Sequence, residues 1–375
     1  MHKRIAIIGA GIVGSTAAYY LSKAGYPVDL YDEGIGQASR AAAGIICPWF
    51  SLRRNKAWYF LVSQGAEFYP KLMADLESDG QQSQAIYHQA GAILIRRKQS
   101  RIEDDLKKAV HKRQQSPLIG QVYALSPAEI EARVPWLQSA YGGLWVEGGA
   151  RVHGDQLVQA LQDASQSMGC QIIRQKAKLI ARTNSSVAVQ IQAGESQTYD
   201  SLLLSPGAWL KELLAPLGYQ VDLQAQKGQL FNLYHPDWKD NTWPVIMPFG
   251  QVDLIPFADG TITFGATHED EAGFDLQIDR QSLENLRQEG LQWAPDLAGY
   301  PLHQCKVGTR THSSDYGVLV GQVPDLKNVW AISGLGSSGL TSGPYLAYQW
   351  AQLIQTGRWT IDPQAFAIEK YIQKI

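Results

Sequence analysis

The sequence predicts an α/β protein in which a Rossmann-like domain is interleaved with an α+β domain built on an antiparallel sheet. Three observations predict it. A strand over residues 4–8 runs straight into Gly9-Ala10-Gly11-Ile12-Val13-Gly14, and an alanine-rich helix starts at Ser15-Thr16-Ala17-Ala18. Two later strands also end in glycine turns: Ser201-Leu202-Leu203-Leu204 before Ser205-Pro206-Gly207, and residues 328–333 before Gly334. Between them, over residues 221–302, segments such as Leu254-Ile255-Pro256 and Thr261-Ile262-Thr263-Phe264 read as antiparallel strands.

The opening unit carries the strongest signal. In a strand–turn–helix of this kind Gly9 makes the tight turn, Gly11 lets backbone approach a pyrophosphate, and Gly14 lets the helix pack close to the strand. The helix N-terminus then faces negative charge. A second strand over residues 27–31 ends at Asp32, 18 residues past Gly14, where a carboxylate binds ribose hydroxyls. An adenine dinucleotide is therefore the expected ligand. The small residues of Gln37-Ala38-Ser39-Arg40-Ala41-Ala42-Ala43-Gly44-Ile45-Ile46 permit a second close approach to it.

From about Trp49 to Gly142 the pattern changes to helices over residues 56–77 and 102–115 and short strands such as Ala92-Ile93-Leu94-Ile95. A helix over 155–168 and strands over 171–173 and 187–191 then resume the first pattern. The expected division is 1–48, 143–220 and 303–375 for the dinucleotide domain, with 49–142 and 221–302 for the substrate domain.

Composition narrows the function. A chain of 375 residues, 45% hydrophobic, can bury a large core and is long enough for about two domains. A net charge of −2 supplies no basic excess for nucleic acid. Cys47, Cys170 and Cys305 stand far apart without a C-x-x-C pair, which indicates neither zinc nor disulfides but apolar filler. His268 precedes Glu269-Asp270-Glu271 without the spaced partners of a metal site, so no metal is expected. No apolar run reaches the roughly 18 residues of a spanning helix, and the first strand begins too early for a signal peptide. A cytoplasmic location is expected. Aromatic content of 10% serves core and interface alike, which leaves a homo-oligomer open.

Five segments in order resemble the flavin amine oxidoreductases of the D-amino-acid oxidase superfamily, especially the glycine oxidase and D-amino-acid dehydrogenase branch. They are the glycine fingerprint with Asp32, the loop 39–46, the segment 265–275, Gly308-Thr309-Arg310 with its continuation to Gly321, and the closing glycine loop 334–341. The resemblance implies noncovalent FAD. As its contacts it implies Gly9, Gly11, Ile12, Val13 and Gly14, Asp32 and Glu33, then Ser39, Arg40, Ala43, Gly44 and Ile45. Lys178 and Gly207 follow, and finally Gly334, Ser337, Ser338, Gly339, Leu340 and Thr341. The cysteine that links flavin covalently in related sarcosine oxidases falls at Gly308.

The resemblance also implies oxidation of the C–N bond of a small amino acid: glycine, an N-alkylglycine or a D-amino acid. The cofactor supplies such chemistry and the protein supplies orientation. A substrate carboxylate calls for a cation with fork geometry, and Arg310 stands at the family's position for it. The reactive amine is the neutral one, so activity is expected to rise with pH. Three positions depart from the family: Asp253 replaces a tyrosine that holds the carboxylate, Ser337 an arginine, and Leu335 a histidine. An acid at 253 facing the pocket implies a substrate with a basic group; facing solvent it is an ordinary strand residue.

Trp49, Trp58 and Tyr59 around Arg53-Arg54 are read either as a lid or as core and rim. Oxygen, a quinone or another protein stay open as electron acceptor. Oxidation of a 2-hydroxy acid would need a base, for which no histidine is placed; an NAD(P) enzyme would not need the late glycine loop. A flavin protein without turnover is the remaining alternative.

Overall fold

The computed structural model describes residues 3–183, 186–191, 194 and 196–375. Ile5–Ile8, buried throughout, is the axis of a six-stranded sheet. It pairs in parallel with Val28–Tyr31 on one side and Ser201–Leu204 on the other. Gln171–Ile173 and Val329–Ser333 extend the two flanks in parallel, and Leu319–Gln322 closes one edge antiparallel. A strand buried on both faces reads as an unbroken apolar run, which is why Ile-Ala-Ile-Ile and Ser-Leu-Leu-Leu sit at the centre.

Alternation along these strands feeds two cores. Ile5 and Ile7 face a cluster with the helices Ile12–Lys23, Lys56–Ser78, Gly154–Ser167 and Gly339–Thr356, whereas Ala6 and Ile8 face Leu179, Val189, Leu210 and Tyr219. No helix among the described residues is long and apolar enough to cross a membrane.

The second sheet has eight strands, in the order Gln304–His312, Gln224–Lys239, Asp259–Gly265, Asp253–Pro256, Val245–Met247, Ala92–Ile95, Gly143–Val146 and Val122–Leu125. It is antiparallel as expected with one exception, the parallel pair of Val245–Met247 with Ala92–Ile95, where two separated stretches of chain meet. Gly143–Val146 and Gln304–His312 lie in this sheet rather than with the dinucleotide unit. Both hydrogen-bond along their length to strands of the substrate segments, so the sheet extends past the expected boundaries at 143 and 303. One face, with Phe231, Leu254 and Phe264, packs on the helix Arg280–Leu291. The other carries Leu230, Asp253 and Gly265, which share one register row.

Glycine sets the closest helix contact. A Cβ on Gly65 would lie 2.0 Å from the Thr341 carbonyl oxygen, so the helix Lys56–Ser78 meets the start of the last helix through backbone. The Tyr69 hydroxyl donates to the Leu340 carbonyl at 2.7 Å beside it. Overpacking of a tight contact costs about 1–3 kcal/mol. Gly65→Val is therefore expected to lower the melting temperature of the apoprotein, whereas Gly299→Ala, with nothing within 4 Å of the new carbon, leaves it unchanged.

Candidate active site

The carboxyl ends of the parallel strands open into a cleft of about 500 Å³. It lies beside the junction of Ile5–Ile8 with Ser201–Leu204, where strand order reverses and a crevice is unavoidable. Gly9 turns with φ +102°, and a Cβ there would meet the Ser205 carbonyl oxygen at 2.3 Å. A Cβ on Gly14 would lie 1.8 Å from the Gly9 oxygen, so these two positions admit glycine alone. Ser39 Oγ accepts from the Ile12 amide at 3.0 Å and caps the first helix. Asp32 is more committed than its spacing suggested: its carboxylate accepts from the Ala10 amide at 2.6 Å and from the Gly34 amide, holding the glycine turn while its outer side lines the cleft.

At the other end of the cleft the loop 36–44 crosses the second sheet. The Thr309 amide donates to Gly36 at 3.0 Å. A Cβ on Gly308 would touch Ala41 at 3.0 Å, and one on Gly265 would touch Ala43 at 3.1 Å. The small residues of this loop thus serve its seating on the sheet as well as access to a ligand. Gly44 has φ +88° and would collide with the Val152 oxygen at 2.1 Å, which fixes how Ile45–Ile46 joins Ala150–Val152.

Arg310 projects over Gly228, whose added Cβ would meet its Nη1 at 2.4 Å. Its hydrogen bonds among the described residues go to two neutral oxygens, the Thr267 carbonyl at 2.8 Å and Gln226 Oε1 at 3.4 Å. Burial pulls its pKa down to about 10, against a lesser opposing pull from Glu269; it stays charged at neutral pH. His268 is kept below its usual pKa by burial and by the Arg310 charge, so it is neutral at pH 7. Glu269, bonded to Thr267 Oγ1 and Gln229 Nε2, is tied into its own turn.

The profile of the family described as FAD dependent oxidoreductase (DAO) matches residues 4–353. The chain belongs to that family. An uncharacterised oxidoreductase of Bacillus subtilis (strain 168) is 36% identical over 96% of this chain and 97% of its own length. The glycine oxidase of Pseudomonas aeruginosa is 26% identical over 98% and 99%. Among solved structures, iminodiacetate oxidase from Chelativorans sp. BNC1 superposes with a TM-score of 0.92 at 29% identity, covering 97% of this chain and 98% of that one.

FAD is the cofactor of this DAO family member, and the cleft fits it: glycine-lined where a pyrophosphate needs backbone, with a helix N-terminus at its wall. Gly9, Gly11, Ile12 and Val13 line it, as do Asp32, Glu33 and Ser39. So do Lys178, Gly207, Gly334, Gly339 and Arg310. The remaining positions do not line the cleft. Gly14 packs the helix, and Arg40 holds Gln37 Oε1 at 2.8 Å and reaches Gln159 and the Asp155 carbonyl. Ala43, Gly44 and Ile45 form the seated loop. Thr341 Oγ1 donates to the Ile45 carbonyl at 3.5 Å, and Leu340 is buried. Ser338 Oγ accepts from Trp58 Nε1 at 3.1 Å, and Ser337 is exposed. Leu335, at the family's histidine position, lines the cleft.

Sequence reasoning missed Ser205 and Trp209, which also line the cleft; the only signal was their position around Gly207. Cys305 sits in register with Phe231, on the sheet face away from the Gly308–Arg310 side. Trp49 is core, with Nε1 donating to Ser116 Oγ at 2.7 Å. Trp58 is buried, yet Arg53 stacks 4.5 Å above it and Arg53 Nη2 donates to the Tyr316 carbonyl at 2.6 Å. Tyr59 lies beneath Lys112 and Arg54 is exposed. Asp253 is half-buried and outside the lining of the main cleft. Hydrogen bonds to a charged group contribute about 1.5–3 kcal/mol each. Asp32→Ala is therefore expected to weaken FAD binding about ten- to a hundredfold, measured by titrating apoprotein into FAD and following fluorescence.

Proposed function

We propose that the protein oxidises the C–N bond of a small amino acid, with Arg310 holding the substrate carboxylate. The observation that carries this is the Arg310 guanidinium itself: largely buried beside the cleft, charged, and, among the described residues, hydrogen-bonded to neutral oxygens only. Burying a cation with no carboxylate hydrogen-bonded to it is costly, and an anionic ligand at the cleft lowers that cost. Its fork suits a carboxylate bidentately. Relatives that act on glycine and on iminodiacetate support an amino-acid substrate: glycine, an N-alkylglycine or a D-amino acid.

FAD, when bound, supplies the acceptor for the hydride that leaves the substrate carbon. The chain fixes orientation: one end of the substrate on Arg310, the loop 41–46 seated against the sheet, and the turn 334–339 closing the cleft. Loss of a hydride gives an imine, which water converts to an oxo acid and ammonia or an amine. The hydride leaves only when the nitrogen lone pair is free, so turnover rises with pH as the substrate ammonium deprotonates.

Anaerobic addition of glycine, sarcosine and a panel of D- and L-amino acids is expected to bleach the flavin band for one class, and readmitted air shows whether oxygen restores it. Removing one partner of a buried charged contact costs about 2–5 kcal/mol. Arg310→Ala should therefore lower kcat/KM for that class about thirtyfold or more at unchanged FAD content. Unchanged kinetics in this variant would refute the assignment of Arg310.

A further inference from the structure

Arg310 stands directly opposite Gln226 in the antiparallel pair of Gln304–His312 with Gln224–Lys239. Opposed residues of such a pair share one sheet face, their Cβ atoms about 5 Å apart. Gln226 is buried, and its amide reaches the guanidinium. Both hydrogen bonds that Arg310 makes among the described residues fall on one nitrogen: Nη1 donates to Gln226 Oε1 at 3.4 Å and to the Thr267 carbonyl at 2.8 Å. Nε and Nη2 are left over, and they form the side-on fork that takes a carboxylate bidentately.

Two acids lie close to this cation. The segment after Gly265 folds back along the strand Gln224–Lys239, and Lys227 and Glu269 exchange both backbone hydrogen bonds, at 3.1 and 3.0 Å. Asp270 thereby comes to lie beside Gln226. Each acid is taken up by a glutamine amide of that strand: Asp270 Oδ1 accepts from Gln226 Nε2 and Glu269 Oε1 from Gln229 Nε2, both at 2.7 Å. His312, two residues on from Arg310 and on the same face, brings Nε2 to 3.5 Å from the same Asp270 oxygen. The chemistry of the three groups fixes the Gln226 amide. A carboxylate accepts and never donates, whereas a guanidinium donates and never accepts. An amide between them satisfies both in one orientation, with Nε2 toward Asp270 and Oε1 toward Arg310.

We propose that Gln226 is a positioning residue that sets the specificity of the site: a neutral spacer that holds Nη1 of Arg310 and keeps Asp270 from pairing with it, so that the charge and the free fork remain for a substrate carboxylate. This rests on the reading of Arg310 as carboxylate anchor. An acid at this position reverses the selection. Gln226→Glu puts a carboxylate against Nη1, gives the cation an internal counter-ion, and removes the advantage of a substrate that carries a carboxylate over one that does not. Asp270→Asn acts more gently, from an exposed position. An amide at 270 presents either of its atoms to Gln226, the orientation of Gln226 is no longer imposed, and Nε2 turned toward Arg310 repels it.

The test titrates acetate into holoenzyme of verified FAD content and follows the shift in the flavin band, for wild type, Gln226→Glu, Asp270→Asn and Arg310→Ala. Acetate is expected to bind Gln226→Glu and Arg310→Ala about tenfold or more weakly than wild type, and Asp270→Asn about threefold more weakly. The second readout compares flavin reduction by the amino acid that bleaches wild type fastest with reduction by its carboxamide. The preference for the acid is expected to shrink about tenfold in Gln226→Glu, through half-saturation rather than the limiting rate, a split that a merely structural fault does not produce. Wild-type acetate affinity in Gln226→Glu, or in Asp270→Asn should the first variant not retain FAD, overturns the proposal while loss of binding in Arg310→Ala still upholds the anchor. Wild-type affinity in Arg310→Ala refutes the anchor and the proposal with it. The titration needs no turnover, so a wild type that no amino acid bleaches refutes the amine-oxidation reading while acetate still decides on Gln226.

Discussion

Main chain passing against main chain, at positions with no space for a Cβ, is the constraint on which this structure depends. Gly9 against Ser205, Gly14 against Gly9, Gly44 against Val152 and Gly65 against Thr341 are four such crossings. Three of them lie where segments distant in sequence meet, and Gly14 against Gly9 closes the turn itself. Together they set the first helix on its strand, the loop on the strand Ala150–Val152 and the last helix on the long one. The cleft is the space these crossings leave between the two sheets.

Two buried guanidiniums show how the same chemistry serves structure or ligand. Arg151, 2% exposed, is surrounded by acceptors: the carbonyls of Trp243, Pro256 and Asn241 and the Asn241 side chain. Nearly every donor of its fork is engaged, so it clamps loops and offers nothing to a ligand. Arg310 is half-buried at the cleft and, among the described residues, holds only the Thr267 carbonyl and Gln226. Donors left over beside a cleft distinguish a binding cation from a structural one.

The parallel core was legible because an unbroken apolar run ending in glycine has few other meanings. Ile5–Ile8, Ser201–Leu204 and Val329–Ser333 all lie within a residue of expectation. The limits of the second sheet were not legible: Gly143–Val146 and Gln304–His312 are recruited by partners far away in sequence, and local pattern carries no record of a long-range register. The small-residue loop was visible as a close approach, but not that Gly265 and Gly308 were what it approached. Gln226 shows the same gap. Residue type gave no sign of a role; only the register row places its amide beside Arg310.

The order of strands bears on how the protein comes into being. The first strand is the axis of its sheet, yet one neighbour is Ser201–Leu204 and the next strand out is Val329–Ser333. On the ribosome the opening β-α-β unit therefore waits, one apolar edge unpaired, until most of the chain has emerged. Such long-range pairing folds slowly and leaves edges open to aggregation. The walls at Gly207 and Gly334 arrive later than the glycine fingerprint, so a complete nucleotide site exists only near the end of synthesis. Cofactor supply then becomes part of quality control: a cell short of flavin would accumulate chains that have finished translation without the ligand that favours their closed form.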